Sequence, residues 1–327
     1  MNSKHMIAAF CAAGLAFGAL AEDAKSANEE GSAGFSWTPG EGVSFGETPI
    51  VGAEVGIAFD SRYMTYGVID GKDPILTPSA QITFFDWVYF GVEAIYDVTK
   101  GNGKKGEYGA RTGKRSTLDM IAGISHEFET CEAVGNLSFD FNYIYEYFRR
   151  YDGEDALGDT TTEMDDTQYL NLELALNDLW FEPALWVERD IMADDGTYFN
   201  FSVGHEFPLV DGEGEDSDPV LAFRPSVGQG FGTARRVRLY NFYLKNPDAT
   251  TGEDVPLDHG GFMDTTFKGE LTWNIGGGVS LSGYVAYSDY LLDARTREGA
   301  RRHNAVWGRK CDHSWNFYGG VALTVAF

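Results

Sequence analysis

Hydrophobic and polar residues alternate along most of the chain beyond residue 50, with the period of two that a β-strand with two different faces produces. In residues 136–147, N-L-S-F-D-F-N-Y-I-Y-E-Y, large apolar side chains recur at every second position up to Tyr147. Residues 169–177 and 315–327 repeat this alternation. A helix would spread the same apolar side chains around its whole circumference, so the pattern predicts strands.

Nine further segments alternate in a similar way. They cover residues 50–59, 76–85, 87–97, 117–128, 180–189, 197–207, 220–230, 262–273 and 279–289. Together with the first three they predict an all-β chain of about twelve antiparallel strands, within a range of about 10–14. Strands of ordinary soluble domains have about 5–6 residues, whereas a tilted membrane-spanning strand needs about 9–11. The length of the predicted segments therefore favours a transmembrane β-barrel.

The connections between the predicted strands alternate in length. The short ones are residue 86 and residues 129–135, 178–179 and 274–278, and the long ones are residues 60–75, 98–116, 148–166, 232–261 and 290–313. Short turns at one end and long loops at the other are typical of a barrel in the bacterial outer membrane with both termini in the periplasm. Two connections depart from this rule, because 190–196 is short and 208–219 is long.

Charged residues within the predicted strands share the polar face, and nearly all of them are acidic. If the apolar face meets lipid, where Lys or Arg would cost about 2–4 kcal/mol, the polar face lines the lumen. The predicted lumen-lining residues are Glu54, Glu93, Asp140, Glu146, Glu173, Glu182, Glu188, Glu206, Arg224, Asp264, Lys268 and Glu270. A ring of carboxylates facing water favours cations. The same polar interior would also suit a plugged barrel, and both alternatives stay open.

The first residues have the features of a secretory signal peptide. Lys4 and His5 precede an apolar run that ends in the small-residue sequence Ala19-Leu20-Ala21. We predict a signal peptide over residues 1–21, a flexible periplasmic leader over 22–48, and a barrel over 49–327. The leader prediction rests on a composition rich in Gly, Ser, Ala and Glu without a period.

The composition excludes some classes of protein. The 327 residues include 50 Asp+Glu and 25 Lys+Arg, which gives a formal net charge of −25 and argues against a general nucleic-acid binder. A hydrophobic content of 43% is too high for intrinsic disorder. The acidic segment 152–166 lacks the regular ligand spacing of an EF-hand, and we predict no metal or cofactor.

Most basic residues fall in the predicted outer loops. Those predicted at the outer rim are Lys104, Lys105, Arg111, Arg115, Arg235, Arg236, Arg238, Arg295, Arg297, Arg301 and Arg302. Guanidinium groups pair well with phosphates and carboxylates, so these residues predict contact with lipopolysaccharide and other outer-membrane lipid. Solvated loops that pair with the acids of 152–166 are an equally good interpretation.

Two segments resemble known outer-membrane proteins. The final strand, W-N-F-Y-G-G-V-A-L-T-V-A-F, ends at Phe327 and resembles the C-terminal signal of bacterial outer-membrane barrels. This resemblance implies recognition by the barrel-assembly machinery. The first hairpin, V-G-I-A-F-D-S-R-Y-M-T-Y-G-V-I-D-G-K-D-P-I-L-T-P-S-A-Q-I-T, is similar to the opening of TorF-like porins. The second resemblance implies a porin-like barrel.

Candidate catalytic residues are few. They are His126-Glu127, His205-Glu206, His259 and Asp312-His313-Ser314. Consecutive strand residues point to opposite faces, so the last of these cannot form a triad by itself. The H-x-S arrangement expected of a barrel phospholipase is absent from the sequence. Cys131 and Cys311 fall at opposite ends of the predicted barrel and should not pair.

We therefore predict a non-enzymatic outer-membrane β-barrel that acts as a porin-like passive channel for small cationic or neutral solutes. The first alternative is a closed barrel with a structural or surface-contact role and no conductance. A less favoured alternative is an outer-membrane hydrolase.

Overall fold

The computed structural model describes residues 35–38, 42–45, 48–71, 73–98, 116–130, 135–148, 166–193, 195–212, 218–237, 260–307 and 313–327. Several predictions concern residues outside these ranges. They are the signal peptide, the outer-rim residues Lys104, Lys105, Arg111, Arg115 and Arg238, the candidates His259 and Asp312, and the cysteines Cys131 and Cys311.

The described residues are mostly in strands. The first eight are β1 (Phe35–Thr38), β2 (Gly42–Phe45), β3 (Thr48–Asp60), β4 (Tyr63–Thr65), β5 (Val68–Gly71), β6 (Ile75–Phe84), β7 (Val88–Asp97) and β8 (Ser116–Glu129). They are followed by β9 (Asn136–Phe148), β10 (Thr167–Leu176), β11 (Ala184–Asp190), β12 (Thr197–Gly204), β13 (Phe207–Val210), β14 (Leu221–Gly232), β15 (Gly261–Gly276), β16 (Val279–Asp289), helix α1 (Ala294–Trp307) and β17 (Asn316–Ala326). Within the described ranges, no helix has the length and apolar character needed to cross a membrane.

Twelve of these strands form a closed antiparallel barrel. Its order is β3, β6, β7, β8, β9, β10, β11, β12, β14, β15, β16 and β17, and β17 pairs with β3 to close it. Each of the twelve segments predicted from alternation corresponds to one of these strands, so the predicted fold is confirmed. The alternation succeeds because every barrel strand separates a lipid-facing side from an interior side.

Two of the predicted strands are shorter than expected. The segment 180–189 begins pairing only at Ala184, and the segment 197–207 ends at Gly204. Glu182 and Glu206, which we predicted on lumen-lining strands, therefore lie in connections. Glu182 has a φ of 35° and precedes Pro183, whose ring removes a ladder donor, so the strand starts after this residue.

Some connections, and the predicted leader, contain regular structure that alternation did not predict. Residues 208–219 overlap β13, which pairs with β14, and residues 290–313 contain α1. Within the predicted leader 22–48, β1 pairs with β2, and β2 pairs with the first residues of β3. The short sequences F-S-W-T and G-V-S-F alternate too briefly to stand out from their Gly-rich surroundings.

Large apolar side chains remain exposed along one face of the barrel strands. They include Ile57, Phe59, Phe90, Met120, Ile124, Phe141, Phe201, Phe267, Leu271, Leu281, Val321 and Leu323. Near the short turns, Trp87 stacks on His126 with ring centroids 3.8 Å apart, as in an interfacial aromatic girdle. A closed barrel satisfies its backbone groups between strands, which is what a lipid environment demands. The protein is an outer-membrane β-barrel.

Three tyrosines cross the inner wall in the same way. Each passes over a glycine of the next strand and donates a hydrogen bond to an aspartate on the strand beyond. The three sets, here called tyrosine bridges, are Tyr89 with Gly123 and Asp140, Tyr198 with Gly230 and Asp264, and Tyr284 with Gly320 and Asp60. The donor–acceptor distances are 2.8, 2.8 and 2.6 Å in that order.

The glycine of each bridge is required by close approach. A Cβ at Gly123 would lie 2.5 Å from the Tyr89 hydroxyl, and one at Gly230 would lie 2.5 Å from the Tyr198 hydroxyl. At Gly320 the Cβ would lie 2.8 Å from Cε1 of Tyr284. Any larger residue would have to push the ring away from its aspartate.

We predict that Gly123→Ala displaces the Tyr89 ring and weakens its hydrogen bond to Asp140. The free energy of unfolding, measured by urea titration in detergent, should fall by about 1–3 kcal/mol. Gly91→Ala on β7 is the matched control, because its Cβ would meet nothing nearer than 3.5 Å. An equal loss from Gly123→Ala in a Tyr89→Leu background would contradict the bridge, since no ring would remain to be displaced.

Candidate functional site

Five carboxylates that lie opposite one another in the strand register are on the inner face of four neighbouring strands, β7 to β10. In the strand register Glu93 is directly opposite Asp119, and Asp119 is directly opposite Glu146. Asp140 and Glu173 form a second opposed pair. These four strands contain no Lys or Arg. We call these five residues the acid wall, since no basic residue of the same strands offsets their charge.

The two predicted inner-face bases lie across the barrel, on β14 and β15. Nη2 of Arg224 is 2.9 Å from Oε2 of Glu182, and Nζ of Lys268 is 2.5 Å from Oε2 of Glu270. The register also sets Arg224 opposite Glu270. Lys268 is therefore paired within its own strand, whereas Arg224 is paired with a carboxylate of the connection between β10 and β11, beside the acid wall. Both bases are engaged by a carboxylate, and the acid wall has no basic residue on its own strands.

A cavity of about 290 Å³ lies at the end of the acid wall that is nearest the short turns. Asp140 and Glu173 line it together with Ser138, and it reaches Asp86 in the turn between β6 and β7. Glu54, also predicted to line the lumen, is opposite Gln81 on β6. Among the described residues, no His, Cys, Asp and Glu side chains come together in threes as a metal site would require.

Three segments fill part of the barrel mouth at the end with the long connections. They are the hairpin β4–β5, a helical turn at residues 234–237, and α1; together we call them the mouth insert. Val68 of the hairpin, Val237 of the turn and Ala300 of α1 are fully buried in one cluster with Tyr198, and Trp186 packs against it. The connection 60–75, predicted as an outer loop, therefore folds inwards.

Side chains of the wall and of α1 hold the backbone of the hairpin. The Ile69 amide donates to Oδ1 of Asn304 on α1 at 2.9 Å. Nδ2 of Asn316 on β17 donates to the Gly67 carbonyl at 2.9 Å. The Tyr290 hydroxyl donates to the backbone carbonyl of Tyr66 at 2.6 Å. Buried amides and carbonyls without such partners would each cost about 1–3 kcal/mol, so these bonds fix the inserted position.

The hairpin tip fits only with glycine at its second residue. Gly67 has a φ of 77°, in the left-handed region that favours glycine. Its Cα also faces the inner wall so closely that a Cβ would overlap the side chain of Asp264. Asp264, predicted to line the lumen, thus forms part of the seat of the hairpin and accepts the bridge from Tyr198.

A buried arginine joins the hairpin to the wall. The Arg236 side chain is 0% exposed, and its Nη1 donates to the Tyr66 hydroxyl at 2.9 Å. Its Cζ lies 5.0 Å from the centroid of the Tyr66 ring, and its Nη2 is 3.5 Å from Oε1 of Glu188 on β11. The Tyr66 hydroxyl in turn donates to Glu188. A buried guanidinium is tolerated only when paired, and Tyr66 and Glu188 provide that partnership.

This position corrects the prediction that Arg236 is an outer-rim residue. Alternation and charge could not distinguish it from Arg235, which is 65% exposed and pairs with Asp195. The difference arises because the chain turns helically directly after β14, and adjacent residues of a helix point in different directions.

The described arginines of α1 are engaged within this chain. Nε of Arg297 donates to the Tyr290 carbonyl at 2.6 Å. Arg301 and Arg302 both donate to Glu298, at 2.8 and 3.0 Å. Hydrogen bonds from Arg301, and then from Arg302, lower the pKa of Glu298 to about 2. Arg295 is exposed on the same helix. Contact of these residues with lipopolysaccharide stays a prediction.

The candidate catalytic residues make separate contacts. Nδ1 of His313 is 2.7 Å from the Trp315 carbonyl, whereas the Ser314 hydroxyl donates to Asp289 at 2.5 Å. His205 lies near the short turns, where its ring stacks on Trp180 with centroids 4.9 Å apart. In the described part of the chain, no hydrogen bond joins His313 to Ser314, so this geometry gives the hydrolase alternative no support.

The sequence contained two signals of the mouth insert that alternation alone did not reveal. The apolar pair Val68-Ile69 stands in an otherwise polar connection. The buried residues of α1 are Thr296, Gly299, Ala300, His303 and Asn304, which follow the spacing of one helical face. The roles of Tyr66 and Arg236 had no such signal, because each depends on a partner far away in the sequence.

The chain matches no family model and no curated protein sequence. Solved structures with a similar chain path include an outer-membrane channel from Pseudomonas putida F1, at 9% identity and a TM-score of 0.44, covering 85% of this chain and 96% of that one. LpxR from Salmonella typhimurium is similar at 11% identity and a TM-score of 0.40, covering 83% and 99%. OccAB2 from Acinetobacter baumannii is similar at 9% identity and a TM-score of 0.33, covering 85% and 97%. None of these similarities identifies a family, and the TorF-like resemblance is not supported by them.

We predict that Asn304→Ala loosens the hairpin, because it removes the acceptor of the Ile69 amide and the donor to the His313 carbonyl. Hydrogen exchange followed by mass spectrometry should show faster deuterium uptake in peptides that cover residues 61–71. Arg302→Ala is the control, since its side chain is 55% exposed on the same helix. Equal uptake in the Asn304→Ala variant and the wild type would contradict this role of Asn304.

Proposed function

We propose that this outer-membrane barrel is a passive channel for small cationic or neutral solutes. The observation that carries the proposal is the acid wall, in which carboxylates of four adjacent strands share the inner face without a base among them. Fixed negative charge along a water-filled path raises the local concentration of cations and lowers that of anions.

The two basic residues of the interior support the same proposal. Arg224 and Lys268 are each held by a carboxylate, so neither offers an unbalanced positive charge to an anion. The cavity beside Asp140 and Glu173 provides room next to the acid wall. A cation entering from the side of the short turns would meet this pair before the row of Glu93, Asp119 and Glu146.

A second candidate is a closed barrel with a structural or surface-contact role. The mouth insert favours it, because fully buried side chains such as Val68 and Val237 occupy the barrel mouth in this structure. The two candidates differ in whether ions pass through the folded protein.

The channel proposal predicts cation-selective current in planar lipid bilayers. We would compare wild type with a hairpin-deleted variant, in which a short Gly-Ser linker replaces residues 63–71. This deletion is feasible because Asp60 and Ile75 are directly opposite each other in the β3–β6 ladder. We expect current from at least one of the two forms. In a KCl gradient its reversal potential should have the sign that shows K⁺ to be more permeant than Cl⁻. Absence of current from both forms, with folding verified by heat-modifiable gel mobility, would favour the closed barrel.

The acid wall predicts which residues set the selectivity. The double variant Glu93→Gln, Glu146→Gln should move the reversal potential towards zero, because it removes two of the five carboxylates without changing side-chain size. Glu206→Gln is the matched control, since Glu206 is exposed in the connection between β12 and β13. If the double variant were as cation-selective as the wild type, the acid wall would not be the source of the selectivity.

A further inference from the structure

We propose that the hairpin β4–β5 is a displaceable gate of the outer mouth, and that Arg236 latches it in a guanidinium-binding site formed by Tyr66 and Glu188. The conductance consequences rest on the proposed channel function, whereas the movement of the hairpin can be measured independently.

The hairpin is built so that it can leave without disturbing the barrel. β4 and β5 pair with each other in a separate two-stranded sheet and not with any barrel strand. The chain enters the hairpin after Asp60 and returns at Ile75, which are direct neighbours in the β3–β6 ladder. Swinging the hairpin outwards therefore breaks side-chain contacts and leaves the pairing of β3 with β6 intact.

The inserted hairpin reaches across the mouth. Its tip residues Tyr66 and Gly67 come from the loop after β3, yet they contact Glu188 on β11 and Asn316 on β17. The Tyr290 hydroxyl, directly after β16, also donates to the tip. A segment that touches strands so far apart around the barrel obstructs a path between them while it is in place.

Arg236 contributes the charged contact between the hairpin, which would move, and the barrel wall, which would not. Tyr66 belongs to the hairpin, whereas Arg236 follows β14 directly and Glu188 is part of β11. The turn carrying Arg236 is anchored to the wall, because the Thr233 amide at its start donates to the Thr197 carbonyl on β12 at 2.9 Å. Removing the guanidinium thus weakens the hold on the hairpin. It also ends the contacts with Glu188 and with the Gly196 carbonyl, but it leaves the strand pairing of the barrel in place.

The surroundings of the latch are those of a guanidinium-binding site. The cation lies over an aromatic ring at 5.0 Å, donates to a hydroxyl at 2.9 Å and is 3.5 Å from a carboxylate. Aromatic faces and carboxylates are the partners that suit a planar, delocalised cation. If the side chain is shortened, free guanidinium should enter the vacated space and restore the cationic contacts with Tyr66 and Glu188.

The experiment compares Arg236→Ala with Arg235→Ala, its exposed neighbour on the same turn. Each is combined with Ile69→Cys as a reporter, in a background with Cys131→Ser and Cys311→Ser, because the Ile69 side chain is only 1% exposed. We expect a water-soluble maleimide to label the reporter about tenfold faster in Arg236→Ala, as local opening becomes more frequent. Low-millimolar guanidinium should slow this labelling again, and Arg235→Ala should behave as wild type in both conditions. Glu188→Gln should also accelerate labelling, but without rescue by guanidinium.

Conductance measurements on the same variants distinguish a failure of the latch proposal from a failure of the channel proposal. We expect Arg236→Ala to be open for a larger fraction of time than Arg235→Ala, and guanidinium to reverse this increase. Slow labelling and unchanged conductance in Arg236→Ala, alongside current from the hairpin-deleted variant, would overturn the latch and leave the channel proposal standing. Fast, guanidinium-sensitive labelling without current from any variant would instead support the latch and overturn the channel.

Discussion

The pairing of β17 with β3 is the contact on which the rest of the structure depends, because it converts a sheet of twelve strands into a barrel without an open edge. The ladder runs from Gly320 opposite Asp60 to Ala326 opposite Glu54, and Phe327 continues it by exchanging hydrogen bonds with Ala53. In lipid no water is available for an unpaired strand edge, so closure is obligatory. Closure also fixes which face of each strand points inwards, since a register slip of one residue would turn the acid wall towards lipid.

Three aspartates of the inner face accept hydrogen bonds from neutral donors, which leaves their negative charge uncancelled. Each tyrosine bridge supplies a hydroxyl to Asp60, Asp140 or Asp264, and Thr266 adds a second hydroxyl to Asp264. A basic partner would have satisfied the same oxygen atoms but cancelled the charge. The bridges are in turn possible only where a glycine lets the ring lie close to the wall. Packing and electrostatics are thus set by the same residue triplets.

The barrel itself could be predicted from the sequence because it depends on local pattern. Alternation in segments such as 136–147 reflects two environments, lipid outside and a polar interior within, and each strand faces both. The same pattern identified Glu93, Asp140 and Glu173 as inner-face residues. It failed at Glu182 and Glu206. Pairing of β11 starts only after Pro183, which lacks a ladder donor, and pairing of β12 stops at Gly204, two residues before Glu206.

The mouth insert was beyond such prediction, since its contacts join residues that are remote in sequence. Tyr66 and Glu188 are 122 residues apart, and Arg236 is 170 residues from Tyr66. Charge placed Arg236 at the outer rim because arginine is rarely buried, and only the joint presence of Tyr66 and Glu188 overrides that tendency. A contact of this kind has no periodic signature within any one segment.

The seat of the hairpin includes Asn316, in the strand that completes the barrel, 249 residues after Gly67. Although residues 63–71 are synthesised early, their docking surface exists only once the final strand has joined the first. Complete docking of the hairpin therefore requires the final strand to be in place. Until then, the mouth side of the nascent barrel lacks the seat on which the hairpin rests.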